Sequence, residues 1–278
     1  MIKIGKVNRL AVIKRVPFGL YLNGDDWGDI LLPTKFVPPD TEINDKLDVF
    51  IYFDSEDKII ATTQRPRAQV DTVAFLKVVD ITPFGAFLDW GLDKDLLVPK
   101  SEQQRPMEKD KSYIVYVKQD YQNRLIGSSK IDYLLDKSPA QYQPGDEVDL
   151  LISETTKMGT KVIIHDKHWG LIHASDIFQT LSYGKKMRGY IKAVREDGKV
   201  DVTLRKIGQD NVDDLAKRIL SELHKMNGFL PIHDKSDPIE IMRVFGASKK
   251  SFKQAIGQLY KESSITIESD GIRVKHKA

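Results

Sequence analysis

The amino-acid sequence predicts a multidomain, mostly β protein: three related five-strand units in a row, then an α+β unit of three helices and a hairpin. Three observations predict it. Strand-like alternation surrounds a Pro-Phe-Gly bend at Pro17-Phe18-Gly19 and again at Pro83-Phe84-Gly85. The two stretches then match without a gap at a constant offset of 66 (84 minus 18): Leu22 with Leu88, Leu31 and Pro33 with Leu97 and Pro99, Asp54 with Asp120, and Ile60-Ala61-Thr62-Thr63 with Ile126-Gly127-Ser128-Ser129. An offset held over about forty residues marks an internal duplication. A weaker third copy lies 74 positions further on (158 minus 84), where Met158-Gly159 answers Phe84-Gly85 and Leu171-Ile172-His173 answers Leu97-Val98-Pro99. Finally, apolar residues adopt helical spacing only after Asn211.

The first unit, residues 1–65, opens with Ile2, Ile4, Val7 and Leu10 to Ile13, strand-like and dotted with Lys3, Lys6 and Arg9. After the bend, which proline rigidifies and glycine permits, comes Leu20-Tyr21-Leu22. Asn23 to Asp29 carries turn chemistry with three aspartates, Asp25, Asp26 and Asp29. They read as a solvated turn, because a hard-cation loop needs more oxygen ligands at set spacing. Leu47 to Phe53 and Ile59 to Thr63 form a closing hairpin. Arg65-Pro66-Arg67 is the first junction. The second unit, 66–138, repeats the plan and closes with Tyr113 to Gln119 and Arg124 to Ser128. A junction with Pro139 and Pro144 leads to the third, 144–208: Val148 to Ile152, Lys161 to Ile164, Trp169 to Asp176, then Met187 to Arg195 and Val200 to Arg205.

In the last unit, 212–278, Val212, Leu215, Ile219, Leu220 and Leu223 make one helical stripe, and Gly228 stops it. Ser236-Asp237-Pro238 starts a second helix through Phe245, with Gly246 after it. Ser248 opens a third, in which Phe252, Ile256, Leu259 and Tyr260 share a side. Ile265 to Ile267 and Ile272 to Val274 make a hairpin about Asp270-Gly271. Three helices followed by a hairpin is the order of a winged helix.

Composition limits the function classes. With no cysteine, the chain has no disulfide frame, thiolate chemistry or cysteine metal site. It opens on no charged-then-apolar leader and contains no apolar run of membrane-spanning length, so no membrane partner and a cytoplasmic location are expected. Net charge is only +3, and the positive excess falls in residues 141–278, as do all 6 histidines. A basic face must therefore come from local clustering.

The β-units resemble the S1-type RNA-binding repeat: a strand, a Phe-Gly bend, an aromatic strand, and then Gly170-Leu171-Ile172-His173-Ala174-Ser175-Asp176 or its degenerate forms. Three such units and a winged helix are similar in order to the conserved virulence factor B (YitL-like) family of bacterial RNA-binding proteins. Gly228 to Ser236, Ser248-Lys249-Lys250 and Asp270-Gly271-Ile272 resemble that family's C-terminal segment. The resemblance implies S1-like OB-fold barrels whose two bend aromatics stack bases, with a histidine on the same face and a basic residue on a neighbouring strand touching phosphate. Carried over by position, it assigns Phe18 and Tyr21 in the first unit, and Phe84 and Phe87 in the second. Pro33 and Pro99 stand in place of the histidine. In the third unit His173 is present, and Met158 and Lys161 occupy the aromatic positions.

The same residues make a physical case of their own. Aromatic faces stack on any base for roughly 1–3 kcal/mol each, and a basic groove follows the phosphates. Basic candidates are Lys118 and Arg124 in the second unit, and Lys161, Lys185, Lys186, Arg188, Lys192, Arg205 and Lys206 in the third. Phe87 fits a core position as well as a surface one, whereas Phe84 beside its glycine favours exposure. Trp27, Trp90 and Trp169 read as packing residues. On the winged helix, Lys249 and Lys253 lie one turn apart, as do Lys250 and Gln254, opposite Phe252 and Ile256. Arg273, Lys275 and Lys277 mark the wing. For this winged-helix cluster the alternatives are a solvated face and packing against a partner, and nucleic-acid contact is placed ahead of both.

His165, His168 and His173 span a turn and two strands without the ligands that would complete a tetrahedral metal site. No paired carboxylates positioned for two metals and no phosphate-cradling Gly-rich loop are found. The expected function is therefore non-catalytic, without metal or cofactor: single-stranded RNA binding on a composite surface, with post-transcriptional regulation implied by the resemblance. Ribosome-associated RNA is one candidate partner. Two rivals remain open, a DNA-binding transcriptional regulator led by the winged helix and a protein-interaction scaffold.

Overall fold

The computed structural model describes residues 1–177, 179–204, 212–245 and 247–275. The chain divides into two compact units, Met1–Asp136 and Lys137–Ala278. The first holds two closed five-strand barrels. Barrel 1 comprises β1 (Val7–Val16), β2 (Gly19–Asn23), β3 (Asp29–Pro33), β4 (Lys46–Phe53) and β5 (Ile59–Thr62). Its strands close in the order β1-β2-β3-β5-β4. Barrel 2 repeats this with β6 (Val73–Ile81), β7 (Gly85–Asp89), β8 (Leu96–Pro99), β9 (Ser112–Gln119) and β10 (Leu125–Ser128). In the second unit, barrel 3 does so again with β11 (Glu147–Thr156), β12 (Gly159–Ile164), β13 (His168–His173), β14 (Lys186–Val194) and β15 (Val200–Thr203).

Alternation builds each core. In barrel 1 Leu10 and Val12, Leu20 and Leu22, Ile30 and Leu32, Val49 and Ile51, and Ala61 all point inward and are buried. Burying each leucine or isoleucine contributes about 1.5–3 kcal/mol. The long first strand of every barrel is interrupted at the same place, between Val12 and Lys14, Val78 and Asp80, and Ile152 and Thr155. Such a bulge bends the strand, so that one half pairs with the fourth strand and the other half with the second. Ile2 and Ile4, expected within the first strand, instead precede it; they are buried in barrel 1's core.

The C-terminal domain has α1 (Val212–Lys225), β16 (Phe229–Leu230), α2 (Pro238–Phe245), α3 (Lys249–Lys261), β17 (Ile265–Ile267) and β18 (Ile272–Val274). The two-residue β16, too short to read from periodicity, completes a sheet of order β16-β18-β17. Ser248 caps α3 by accepting the Ser251 amide at 3.1 Å. The core joins Leu215, Ile219 and Leu223 to Ile241 and Phe245, and to Phe252, Ile256 and Leu259. The Phe245 and Phe252 rings stack at 5.2 Å. Tyr260, expected on this inner side, is 57% exposed. It falls one residue beyond the Leu259 position that closes the stripe. Gly246 lies outside the described residues.

Barrels 1 and 2 meet along a packed seam that extends well beyond the junction expected at Arg65-Pro66-Arg67. Outward-facing Phe50 and Tyr52 of β4 are buried within the barrel 2 cluster, and Phe50 meets Trp90 edge-on at 5.7 Å. Lys94 Nζ donates to the carbonyls of Phe53 at 3.0 Å and Asp54 at 2.6 Å. Lys35 pairs with Asp93, to which Gln64 also donates at 3.2 Å. The Val70 amide donates to the Gly5 carbonyl at 2.9 Å. Trp90 is a packing residue, whereas Trp27 is 42% exposed while meeting Phe53 edge-on.

The seam has a pH signature. Burial, reinforced by the Asp93 and Asp54 carboxylates, pushes the Tyr52 phenol up from 10.0 to about 12. The folded chain thus favours the neutral phenol. That stabilisation is complete below the unfolded value and is lost as pH rises from about 10 to about 12. Denaturant midpoints of the chain are expected to fall more steeply over this window than those of Tyr52→Phe, and equal slopes would contradict it.

Candidate nucleic-acid interface

The first hairpin of each barrel ends in a two-residue tip: Pro17-Phe18, Pro83-Phe84 and Lys157-Met158. The carbonyl of the second tip residue is clamped each time by an amide just past the third strand. Thr34 donates to Phe18 at 3.0 Å, Lys100 to Phe84 at 3.1 Å, and Ala174 to Met158 at 3.1 Å. The glycine that follows sits hard against that strand. A Cβ on Gly19, Gly85 or Gly159 would lie 2.1, 2.3 or 2.0 Å from the carbonyl oxygen of Leu32, Val98 or Ile172. With the backbone held this way, the tip side chains stand out: Phe18 is 55% exposed, Phe84 78% and Met158 63%.

Two positions past each glycine sit Tyr21, Phe87 and Lys161, all half-buried. Phe87 is therefore on the wall of the barrel and outside its core. The Tyr21 ring meets Phe18 edge-on at 6.3 Å. Across the sheet each continues into an outward-facing row: Tyr21, Leu31, Ile60; Phe87, Leu97, Ile126; Lys161, Leu171, Asp201. On the other side the bulge sets Lys14 opposite Tyr21 and Asp80 opposite Phe87, while Glu154 pairs with Lys161. Lys14, exposed opposite Tyr21, and Lys100, exposed at the clamp under Phe84, were missed in the sequence. Their relevance depends on strand register, which composition does not contain.

Most of the anticipated cations are engaged within the protein. Lys118 pairs with Glu102 at 2.8 Å and Arg124 with Asp120 at 2.8 Å. Burial would raise the Glu102 carboxyl, but hydrogen bonds from Lys118 and Ser128 outweigh it and hold the group below its ordinary value. In barrel 3, Lys161 pairs with Glu154 at 3.2 Å and lies over the Trp169 ring at 4.9 Å. Arg188 bridges Glu147 and Asp149, and Lys192 pairs with Asp176 at 2.7 Å. Lys185 and Lys186 are exposed. Arg205, Lys206 and Lys277 lie outside the described residues.

His173 is tied down as well. Its Nε2 lies 2.9 Å from Asp201 Oδ1 and 2.9 Å from an Arg195 amine, and Arg195 donates to both Asp201 oxygens at 2.8 Å. Burial opposes ionisation of Asp201, yet the bonds from Arg195 and His173 hold its carboxyl below the usual range. His168 Nδ1 instead meets the Tyr142 hydroxyl at 2.9 Å, and His165 lies 3.9 Å from Asp149. The Tyr142 ring packs against both His165 at 6.2 Å and His168 at 5.4 Å, while His173 is engaged by Asp201 and Arg195.

On the winged helix, Lys250, Lys253 and Gln254 are exposed along α3, and Lys275 is exposed after the wing. Lys249 turns inward to the preceding loop, donating to the carbonyls of Lys235 at 3.2 Å and Ser236 at 2.9 Å. Arg273 is held by Glu268 at 2.7 Å and Asp270 at 3.6 Å, and its guanidinium lies 4.1 Å over Phe229. Neither fits the open cationic face expected of it, because each is consumed in holding the fold.

Comparison with known proteins agrees with this architecture. The S1 domain model matches residues 4–64 and 72–130, and the CvfB-like winged helix domain model matches residues 217–274. A solved multidomain protein with nucleic acid binding domains from Streptococcus pneumoniae TIGR4 is 22% identical, covers 98% of both chains, and has a TM-score of 0.43. Conserved virulence factor B of Staphylococcus epidermidis ATCC 12228 is 26% identical over 99% of this chain and 95% of its own. The uncharacterized protein YitL of Bacillus subtilis strain 168 is 30% identical over 95% of this chain and 91% of its own. Matched along nearly its whole length, the chain belongs to the conserved virulence factor B (YitL-like) family.

Proposed function

We propose that the protein binds single-stranded RNA without catalysis, as a post-transcriptional regulator, with barrels 1 and 2 as its base-stacking platform. The observation that carries this is the pair of clamped tips, where Phe18 and Phe84 project from fixed backbone, with Lys14 paired across from the adjacent Tyr21 and Lys100 supplying the amide that clamps Phe84. Only unpaired bases offer free faces to such rings, and each face stacks regardless of sequence. S1 domain matches over both barrels support the nucleic-acid part of the reading. Barrel 3 has the same tip but no ring on it, and of its described candidate cations Lys161, Arg188 and Lys192 are paired while Lys185 and Lys186 are exposed. The positive surplus of the second half thus overstates its share. Several weak sites on one chain gain from effective concentration. Among the described residues no helix is long and apolar enough to cross a membrane.

The test is fluorescence anisotropy of the full chain with single-stranded RNA and matched single-stranded DNA over a salt series. The expected result is RNA binding preferred over DNA, with log affinity falling linearly with log salt. Absence of single-strand binding at moderate salt would leave the scaffold reading in its place.

A further inference from the structure

The residue paired across the bulge from the platform ring changes sign between the first two barrels. Strand register sets Lys14 opposite Tyr21 and Asp80 opposite Phe87. Residues opposed in this way share a face, with Cβ atoms about 4.5–5.5 Å apart. Both charged side chains are exposed, and both rings are half-buried. In barrel 3 Lys161 takes the place of the ring, and it closes off Glu154 at 3.2 Å. Asp80 is not closed off in this way. Lys109 Nζ lies 3.8 Å from it with both side chains open to solvent, a surface pairing that contributes little. Asp89, the next outward residue of β7 after Phe87, is taken up by Arg67 at 2.8 Å. Barrel 2 thus combines an accessible ring with an available carboxylate at its rim.

A carboxylate in that place repels the phosphates of any strand that reaches the ring. It favours binding only where a base donates to it. We infer that Asp80 makes barrel 2 a guanine reader: the base stacks on Phe87 and donates its N1–H and 2-amino group to the two carboxylate oxygens. An ionised carboxylate only accepts hydrogen bonds. Guanine is the one RNA base with two adjacent donors on its Watson–Crick edge, so it is the one that bonds both oxygens, and paired charge-assisted bonds are the strong ones. Cytosine and adenine set an acceptor nitrogen beside their amino group, and uracil sets a carbonyl on each side of its imino group. Those acceptors meet the same negative oxygens, so one side chain both selects guanine and disfavours the rest. Unpaired RNA leaves this edge free to be read. Lys14, a donor at the matching place, gives barrel 1 no such preference. The inference rests on the RNA-binding reading and deepens it at barrel 2.

The full chain would be titrated by fluorescence anisotropy with a short oligouridine, the same oligomer with one central guanosine, and the same with inosine there. Inosine keeps N1–H and lacks the 2-amino group. The wild type is expected to bind the guanosine oligomer about fivefold more tightly than the inosine one, the lower end of what a bidentate side-chain contact to a base supplies. Asp80→Lys copies the residue that barrel 1 already carries in this position. It should bind the guanosine and inosine oligomers equally and oligouridine more tightly than the wild type, with that gain fading as salt rises. A merely structural Asp80 would not tighten oligouridine binding when replaced. Lys14→Ala should weaken all three oligomers and keep the guanosine preference. Equal binding of guanosine and inosine oligomers by the wild type, or a preference that survives Asp80→Lys, would overturn the guanine assignment and leave RNA binding standing. Binding of none of the three would remove both readings together.

Discussion

Alanine at both Phe18 and Phe84 is expected to weaken single-stranded RNA binding about a hundredfold while leaving the melting transition in place. One base stacked on one ring is worth about 1–3 kcal/mol, and about 1.4 kcal/mol is tenfold in affinity. The two rings sit on different barrels, share no contact and should add. Each single variant therefore loses about tenfold. Stability is spared because the side chains are 55% and 78% exposed and supply little to either core. Met158→Ala should lose less, because a thioether offers no ring face. Anisotropy and thermal melts on the same samples separate the two effects. Unchanged affinity in the double variant would remove the tips from the interface, whatever the wild type binds.

Why the tips could be read from sequence while their surroundings could not follows from the range of the interactions. Phe84 precedes a glycine at a bend, and the duplicate at Phe18 repeats it, so exposure was a local property. The ion pairs that consume Arg188 and Lys192 run to Glu147 and Asp176, 41 and 16 residues away. Those partners are fixed by strand pairing, and a one-residue slip would exchange them. Counting the lysines and arginines of residues 141–278 therefore overstates the free cations of that half. Lys14 was overlooked for the same reason: without the bulge, it would not stand opposite Tyr21.

The seam between barrels 1 and 2 left a signal that went unused. Val49-Phe50-Ile51-Tyr52-Phe53 is apolar on both faces, whereas the matching Val115-Tyr116-Val117-Lys118-Gln119 alternates and ends polar. A strand that is apolar throughout is covered on both sides. Here the inner side is barrel 1's core, and the outer side is Trp90 and its neighbours. The duplicated units differ where one of them is covered by the other, a difference that lies outside the residues they share.

The largest loss of stability is expected one residue from the largest loss of binding. Gly85→Ala places a methyl 2.3 Å from the Val98 carbonyl oxygen, a backbone atom with no rotamer to escape into. The sequence suggested that glycine is needed for its freedom to bend. Gly85 is not among the glycines with positive φ, so the requirement comes from the neighbouring strand. To admit the methyl, β7 and β8 must part, which strains the Gly85–Pro99 register and the Lys100-to-Phe84 clamp together. Overpacking of this kind costs about 3 kcal/mol, or a fall of roughly 10 °C in the melting of the first unit. RNA affinity should fall too, because Phe84 stays on the chain but loses its fixed aim. Gly85→Ala thus lowers stability and binding together, where Phe84→Ala lowers binding alone. A Gly85→Ala protein that melts like the wild type would show that β8 can yield, and that the tip is not held by the contact described.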